Sequence, residues 1–285
     1  MSLTVNTNIA SLNAQRNLSK STSALGKTFE RLSSGMRINR AADDAAGLNI
    51  STRMSSQIRG FNQAMRNTND AISLIQVTEG ALNETESALQ RIRELSVQAA
   101  NDTLITSDRE DIWKEVVQLI SEIDRISDDT EFNGQQLVGD STALDLKFHV
   151  GAEADKTIDM TLNAAGASAI GVGSTIVGSA DYVVAMTGAS AQEHAEAVIG
   201  YVDTAIGSVA DMRSYLGSMQ NRMESIVANI DHAIERTSAA RSRIMDADIA
   251  SETANLTKMS ILQQAGTAIL SQANAQPQLA LQLLG

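Results

Sequence analysis

Residues 191–244 read AQEHAEAVIGYVDTAIGSVADMRSYLGSMQNRMESIVANIDHAIERTSAARSRI, and they decide the fold because one apolar pattern repeats along their whole length. Apolar residues recur at alternating spacings of four and three residues, with Thr237 as the one departure. This period is typical of a helix whose apolar seam packs along a coiled coil. Ser190 and Glu193 have the spacing of a capping box, which marks a helix start. At about 1.5 Å per residue, the stretch predicts one helix roughly 80 Å long and therefore a rod-shaped molecule.

Two more seams precede this stretch and predict partner helices. The later one opens with Ser107 and Glu110 at capping-box spacing and ends before Asn133-Gly134, a turn signal. Three amphipathic helices of this kind can bury their apolar stripes against one another. The earlier seam comprises Ile58, Phe61, Met65, Thr68, Ile72, Ile75, Glu79, Leu82, Glu86 and Leu89, and the later one comprises Ile112, Val116, Leu119, Ile123 and Ile126.

Between residues 139 and 189 the period changes from that of a helix to that of a strand. Leu144, Leu146 and Phe148 alternate with polar residues, as do Ile158 and Met160. A stretch rich in Gly, Ala and Ser follows, AAGASAIGVGSTIVGSA. We therefore predict a small β-hairpin region exposed on the side of the rod. The predicted fold class is mainly α, with a long helical coiled-coil rod, paired terminal helices and this β-hairpin region.

Both ends of the chain carry apolar stripes that are too sparse to hold a helix alone. Even paired, two such helices make only a thin core, so we expect the ends to fold fully only when several copies pack together. Residues 1–45 carry a net charge of +3 and residues 245–285 carry −2, which favours attraction between the ends. The positions expected to form this assembly core are Val5, Ile9, Leu12, Leu25, Phe29, Leu32, Leu256, Met259, Leu262, Ile269, Leu283 and Leu284.

Composition argues against several classes of function. The net charge of −12 disfavours a nucleic-acid partner, and no apolar run is long enough for a membrane span. The N-terminal residues lack the basic and apolar regions of a secretory signal peptide. The chain has no Cys, and His149, His194 and His232 lack the spacing of metal ligands. Without a nucleotide-binding or hydrolase motif, we expect no enzyme activity, no cofactor and no metal.

The stretch Gly35–Leu48, GMRINRAADDAAGL, holds the one plausible acid pair. Adjacent side chains on a helix point about 100° apart, so Asp43 and Asp44 would not converge on one substrate atom. Carboxylates at a helix N-terminus complement the helix dipole, and we prefer this role to catalysis. Either carboxylate can pair with Arg37 or Arg40, and the sequence does not decide between these pairings.

Four stretches closely resemble bacterial flagellin: NTNIASLNAQRNL, RLSSGMRINRAADDAAGLNIS, QIRGFNQAMRNTNDAISLIQVTEGALNETESALQRIRELSVQAA and RIMDADIASETANLTKMSILQQAGTAILSQANAQPQLALQLLG. The resemblance implies a filament subunit whose terminal helices pair in the filament core, with a helical rod outside it. Many flagellins carry large outer domains where this chain has a short segment, so it resembles a short form. The implied division is 1–44 and 245–285 for the helices of the core domain, 45–138 and 190–244 for the rod domain, and 139–189 for the exposed region.

The resemblance also implies a route and partners. The subunit would leave the cell unfolded through the flagellar type III pathway and join the extracellular filament used for swimming. A cytosolic export chaperone would bind residues 245–285, and cap and hook–filament junction proteins would contact the assembled subunits. The family places a connecting spoke at the acid-pair stretch, where filament geometry would be set. The joint residues are Gly35, Arg37, Arg40, Asp43, Asp44 and Gly47.

A further implication is recognition by a Toll-like receptor of innate immunity. The positions that match the family are Arg91, Leu95 and Glu115, and Gln98 extends the same face. Contact with a neighbouring subunit is the alternative use of this face, and the two uses are compatible.

Three alternative classes of protein stay open. A hook–filament junction protein shares flagellin-like ends, although we expect a poorer match to QANAQPQLALQLLG in that class. A cytoplasmic chemoreceptor-type hairpin also has long heptads but lacks the paired ends. An enzyme carried on a filament would need an inserted catalytic domain, for which residues 139–189 are too few.

Overall fold

The computed structural model of the chain describes residues 7–139, 143–173 and 191–282. Within these ranges the fold is mainly α, as predicted, with five helices and two pairs of short antiparallel strands. Val5, Leu283 and Leu284 of the predicted assembly core and Ser190 of a predicted capping box lie outside the described residues. The helices are α1 (Ile9–Ser34), α2 (Ala45–Ala99), α3 (Thr106–Asp129), α4 (Ala191–Met245) and α5 (Ile249–Gln282), and the strands are β1 (Glu131–Phe132), β2 (Gln135–Gln136), β3 (Leu144–His149) and β4 (Thr157–Leu162).

The chain divides into two compact units. The terminal unit comprises Met1–Ile58 and Glu235–Gly285, and the central unit comprises Arg59–Ile234. Both boundaries fall inside the long helices α2 and α4 rather than at helix ends. Each of these two helices therefore contributes a segment to both units.

The predicted seam of α4 is confirmed in the central unit. Its residues recur at the four-three spacing and form one continuous buried stripe, as expected for helices packed along a seam. Met212 and Ile226 are half-buried at the edge of this stripe. The buried seam residues are Ala195, Val198, Val202, Ala205, Val209, Leu216, Met219, Met223 and Ile230.

The seam of α2 is confirmed at Thr68, Ile75, Leu82 and Leu89, which are buried, but it differs from the predicted seam at the positions between them. The prediction placed Ile72, Glu79 and Glu86 in the seam, whereas the buried residues are Ala71, Thr78 and Thr85. The Thr78 hydroxyl donates to the Leu74 carbonyl at 2.9 Å, and the Thr85 hydroxyl donates to the Ala81 carbonyl at 3.0 Å. Because their own helix satisfies these hydroxyl groups, burying them carries little cost. The displaced Glu86 instead lies beside the seam and forms an ion pair with Arg213 of α4.

The predicted capping box of α3 is wrong. The helix begins at Thr106, and Ile105 occupies the N-cap position without a side-chain cap. Ser107 is therefore already inside the helix, where its hydroxyl cannot take the N-cap role. The turn before α3 is held instead by Arg109, whose guanidinium donates to the Ala99 carbonyl at 3.0 Å and the Asn101 carbonyl at 2.9 Å. The residues that α3 buries are Trp113, Val116, Ile120, Ile123 and Ser127.

Both predicted β features are present. Asn133 and Gly134 connect β1 to β2 with φ of 52° and 76°, the left-handed values that a two-residue hairpin turn requires. In the β3–β4 pair, Leu144 lies opposite Leu162 and Phe148 lies opposite Ile158. The apolar side chains of this pair face the helices and join the central core. Its polar side chains, on the opposite face, are exposed.

The described part of the small-residue segment after β4, up to Gly173, is packed into the core instead of lying exposed on the side of the helices. Ala167 and Val172 are fully buried. The Ala167 amide donates to the Asp124 carboxylate at 2.8 Å. A Cβ at Gly173 would lie 2.8 Å from the Ser168 nitrogen, so only glycine fits there. The abundance of Gly, Ala and Ser thus reflects close packing of the backbone, at least up to residue 173.

The burial of Leu82 generates a stability prediction for the central unit. Leu82 is 1% exposed, so Leu82→Ala should lower the free energy of unfolding by about 2–5 kcal/mol through a cavity in the seam. Trp113 is the single Trp of the chain and lies in the same core, so its fluorescence during urea denaturation measures this unit.

Val77→Ala is the matched control, because Val77 is on the same helix but exposed. This control should change the free energy of unfolding by no more than about 0.5 kcal/mol. Equal losses for the two variants would contradict the assignment of the seam.

Candidate assembly surfaces

The terminal unit is built on the antiparallel pairing of α1 with α5. At one end the side-chain amide of Asn8 donates a hydrogen bond to the backbone carbonyl of Ala273 at 2.7 Å. At the other end Arg31 forms an ion pair with Glu252 at 3.3 Å. Between these contacts a Cβ at Gly266 would lie 3.3 Å from Leu18, so the helices approach closely there. The prediction of paired terminal helices is confirmed. The Arg31–Glu252 pair also fits the predicted attraction between oppositely charged ends.

Most apolar side chains of this helix pair remain exposed. Phe29 is 64% exposed and Ile269 is 58% exposed, whereas the buried apolar residues, Ala14 and Ala273, are small. Among the predicted core positions, Leu25, Leu32, Leu256 and Met259 are half-buried, and Ile9, Leu12, Phe29, Leu262 and Ile269 are exposed. Ile261 adds an exposed apolar residue that the sequence pattern did not single out.

We call the exposed set Ile9, Leu12, Phe29, Ile261, Leu262 and Ile269 the apolar stripe. At the end of this stripe nearest the Arg31–Glu252 ion pair, Leu25 and Phe29 of α1 and Leu256 and Ile261 of α5 line one open groove. An exposed apolar groove of this kind is typical of a surface that contacts another molecule.

The joint residues lie where α1 ends and α2 begins. Gly35 terminates α1 with φ of 69°, a left-handed value that L-residues adopt at a cost. The chain then pairs with the segment between α4 and α5. The Arg37 amide donates to the Met245 carbonyl at 2.6 Å, and the Ala247 amide donates to the Gly35 carbonyl at 2.9 Å.

The carboxylates of the joint bind backbone amides, and within the chain none of the four possible pairings with Arg37 or Arg40 forms. The Asp44 carboxylate accepts the Gly47 amide at 2.9 Å and caps α2, which agrees with the helix N-terminal role. Asp43 accepts the Arg40 amide at 3.1 Å and the Asn39 amide at 3.3 Å. Backbone amides three or four residues away in the chain, before Asp43 and after Asp44, therefore take the place of the arginine side chains as partners of the two carboxylates.

The two arginines find other partners. Arg40 pairs with Glu30 at 2.9 Å, and the Arg37 guanidinium donates to the Ile244 carbonyl at 2.7 Å. Asp248 caps the N-terminus of α5 as Asp44 caps that of α2, since the Asp248 carboxylate accepts the Ala250 backbone amide at 3.0 Å. The sequence reasoning missed Asp248, although an Asp directly before a helical pattern is a recognised start signal.

Gly47 has a different role from the predicted one. It lies inside α2 and is buried, so it does not bend the backbone. A Cβ at this position would lie 2.5 Å from the Asp44 carboxylate and 2.7 Å from Ile38. Glycine is favoured here because a side chain would displace the capping carboxylate or the end of the buried Ile38 side chain.

The face matched to receptor recognition lies on α2 and α3 in the central unit. Arg91 pairs with Glu115 at 2.9 Å and with Glu94 at 3.1 Å, and the hydrogen bond to Glu115 raises the pKa of the Arg91 guanidinium. Gln98 is exposed on the same helix. Leu95 is 2% exposed and belongs to the core, so its side chain is not on this surface.

The described residues offer no cluster of three or more His, Asp or Glu side chains that could hold a metal ion. Among the described helices, none is both long and apolar enough to cross a membrane.

Comparison with known proteins agrees with the resemblance read from the residues. The family model described as the bacterial flagellin N-terminal helical region matches residues 5–143, and the model for the C-terminal helical region matches residues 199–284. A flagellin of Halalkalibacterium halodurans is 45% identical over 98% of this chain and 99% of its own length. A flagellin of Bacillus subtilis is 44% identical with the same coverage. A Vibrio parahaemolyticus protein described as flagellar hook-associated has a similar fold, with a TM-score of 0.63 over 72% of this chain and 100% of its own, at 14% identity.

The hydrogen bonds that the Asp43 carboxylate accepts predict how the stability of the terminal unit depends on pH. The backbone amide of Arg40 lowers the pKa of the Asp43 carboxyl below its usual value, against the opposing effect of burial, with help from the Asn39 amide and the charges of Lys27 and Arg31. A lowered native pKa stabilises the fold above the unfolded pKa of about 3.9, and this contribution is lost as the pH falls through the native value.

Asp43→Asn should therefore lower the thermal stability of the terminal unit near neutral pH, and the difference from wild type should shrink as the pH falls from about 6 to about 2.5. Thermal unfolding followed by circular dichroism measures this difference. A difference that stays constant over this range would contradict a role for the Asp43 charge.

Proposed function

The chain belongs to the bacterial flagellin family and is a non-enzymatic structural subunit of the extracellular flagellar filament, and from this premise we propose that its copies assemble through the apolar stripe. The hook–filament junction alternative is not favoured, because the curated relatives are flagellins over nearly their full length. The observation that carries the proposal is the exposure of large apolar side chains along both paired terminal helices.

Burial of these side chains supplies the driving force. Fully burying a Leu, Ile or Phe side chain stabilises by about 1.5–3 kcal/mol. Covering several such side chains per subunit therefore offsets much of the free-energy cost of the entropy lost on association. Copies that meet through non-identical faces form an open helical polymer when the rotation between them does not close a ring. The stripe would be covered by neighbouring terminal helices, which completes a core that one subunit cannot make alone.

The joint residues are proposed to set the geometry of the filament. The backbone between α1 and α2 is held by the left-handed conformation of Gly35 and by hydrogen bonds from backbone amides to the Asp43 and Asp44 carboxylates. Arg37 holds the same stretch against the end of α4. Changes in this network would alter the direction in which the terminal helices leave the joint. The division into 1–44, 45–138, 139–189, 190–244 and 245–285 belongs to this same proposal.

Export and accessory partners complete the proposed function. As the family resemblance implies, the subunit is exported unfolded through the flagellar type III pathway. An export chaperone binds residues 245–285 beforehand, and Ile261, Leu262 and Ile269 give that segment an exposed apolar surface for it. Filament cap and hook–filament junction proteins are the further partners at the two ends of the polymer.

The receptor proposal concerns Arg91, Gln98 and Glu115. These three side chains are exposed on adjacent helices, whereas Leu95 would act only by supporting the helix from the core. Gln98→Ala with Glu115→Ala should reduce activation of a Toll-like receptor reporter cell by purified monomer at least about tenfold, as expected for contacts central to an interface. Undiminished signalling by this variant, or no signal from the wild type, would refute the proposal.

The main test concerns assembly. Phe29→Asp with Ile261→Asp places two charges in the groove of the apolar stripe, and burying them against a neighbour would be costly. Elongation of seeded filaments, measured by sedimentation and electron microscopy, should fall at least about a hundredfold, corresponding to roughly 3 kcal/mol. Capture of the chain by the export chaperone should weaken as well.

Val97→Asp with Tyr201→Asp is the matched control, since both residues are exposed apolar positions of the central unit. This control should elongate seeds within a few fold of wild type. Normal elongation by the stripe variant would rule out the apolar stripe as the assembly surface.

A further inference from the structure

The start of α3 carries the most exposed large apolar side chain of the described residues. Ile105 is 65% exposed and occupies the N-cap position of α3, where its side chain makes no cap. Its neighbours Asn101, Asp102 and Thr103 in the α2–α3 turn are polar. Ile is among the least favourable N-cap residues, because it has no oxygen to accept the free amides of the first turn. The stability of α3 therefore does not explain an Ile at this position.

An open apolar groove lies at the opposite end of the central unit. Its volume is about 500 Å³, and it is lined by Phe61 of α2, by Ile226, Ile230 and Ala233 of α4, and by the turn between β3 and β4. We call this set of residues the hairpin groove. Phe61, Ile226 and Ala233 are only half-buried, so the hairpin groove offers apolar surface to another side chain.

The β3–β4 pair and α3 lie one after the other on the same side of α2. The Asn67 side-chain amide donates to the His149 carbonyl of β3 at 3.0 Å, and Arg91 pairs with Glu115 of α3 at 2.9 Å. Leu95 is one turn after Arg91 and four heptads after Asn67. Because α2 follows a heptad repeat, residues at this spacing share one side of the helix.

Ile105 and the hairpin groove mark the two ends of this layer. At the turn between β3 and β4, the Ala152 Cβ would lie 2.8 Å from a Cβ at Gly60. At the start of α3, the Arg109 guanidinium donates to the Ala99 carbonyl at 3.0 Å. Gly60 and Ala99 are 39 residues apart in one helix, so the two features are separated by roughly 58 Å along α2. Ile105 therefore cannot reach the hairpin groove of its own chain.

We propose that Ile105 of one subunit inserts into the hairpin groove of a second copy that follows it along the filament. The two ends of one layer meet when copies stack end to end in the same orientation. Each contact leaves an unused Ile105 at one end and an unused groove at the other, so the contact is heterologous and extends without closing. This inference rests on the proposed assembly of the subunits and names one contact within it.

A second copy is favoured over an unrelated partner because the contact is small. One Ile side chain buries far less surface than the roughly 1,200 Å² that a stable complex needs. An independent partner would not be retained by it, whereas a copy already held through the apolar stripe would be. The hairpin groove is also lined by Glu153, Asp155 and Lys156, and Asp102 lies in the turn before Ile105, so charge does not supply the attraction.

The first test separates this contact from the stability of α3. Ile105→Ser supplies a capping oxygen, so the monomer should unfold at the same temperature or up to about 4 °C higher. Assembly should nevertheless weaken, because one apolar side chain is no longer buried. The monomer concentration in equilibrium with seeded filaments, measured by sedimentation, should rise at least about tenfold.

Val97→Ser is the matched control, since Val97 is 51% exposed at the same end of the central unit. This control should raise the residual monomer concentration less than about twofold. An unchanged concentration for Ile105→Ser would overturn the proposal.

The second test blocks the hairpin groove. Asn229 is exposed and lines this groove, so the indole of Asn229→Trp should fill the space and raise the residual monomer concentration at least about tenfold. Asn221→Trp, at an exposed position of α4 outside the groove, should assemble like wild type. Ile105→Ser with Asn229→Trp should be within about threefold of the worse single variant, because both changes remove one contact. Defects that multiply would overturn the proposal.

Cross-linking identifies the neighbouring residues directly, because the chain has no Cys. Ile105→Cys with Asn229→Cys in one chain should give a ladder of covalent oligomers when filaments are treated with a short bismaleimide. The free monomer should give none. Ile105→Cys with Asn221→Cys is the control and should give no ladder. Normal filaments without a ladder, or an equally strong ladder in the control, would overturn the contact.

Failure of this contact is distinguishable from failure of the apolar stripe. Normal elongation by Phe29→Asp with Ile261→Asp rejects the stripe, whatever the Ile105 variant does. If Asn229→Trp weakens assembly but Ile105→Ser does not, another occupant uses the hairpin groove and this proposal fails. The defect of Ile105→Ser should persist in about 1 M salt, where the screening length is about 3 Å. A defect that disappears in salt would show an electrostatic effect and overturn the apolar contact.

Discussion

Two helices packed side by side have only one inner face, and this constraint governs the terminal unit. Between α1 and α5 that face accommodates small residues such as Ala14, Thr28 and Ala273. Polar contacts at the two ends, from Asn8 and from Arg31, determine the register. Large apolar side chains such as Leu25 and Leu256 are therefore only half-buried within one subunit, and others such as Phe29 and Ile269 stay exposed. The central unit is not limited in this way, because α3, the β3–β4 pair and the segment up to residue 173 also pack against α2 and α4.

Periodicity predicted the helices well where the seam is made of apolar residues. In α4, Val and Met occur at each step, so the buried stripe could be read directly from the sequence. In α2 the correct stripe includes Thr78 and Thr85, and no hydropathy pattern distinguishes a Thr that bonds its own helix from one that faces water. The burial of the small-residue segment depended on a tertiary bond to Asp124, which sequence spacing cannot reveal.

The functional surfaces were predictable to the extent that they depend on local chemistry. Gly35 was correctly placed at a change of direction because a left-handed residue at a helix end is a local requirement. Within one chain Asp43 and Asp44 do not pair with Arg37 or Arg40, since nearby backbone amides occupy both carboxylates in a way set by backbone geometry. Leu95 was assigned to a surface that its burial excludes, because one apolar residue on an amphipathic helix has two possible faces.

The surface charges of the central unit contribute more to association than to stability. Exposed pairs such as Lys114–Asp111 are worth only about 0–1 kcal/mol each, and salt weakens them further. The central unit has 11 basic and 27 acidic residues. A net charge of −16 favours repulsion between free central units, whereas in the proposed assembly the apolar stripe of the terminal unit would draw subunits together. A subunit with both properties resists random aggregation yet adds readily where a neighbour offers a matching terminal unit. Since the filament acts mechanically, its function depends on how subunits associate, here on charge repulsion between central units and burial of apolar side chains between terminal units.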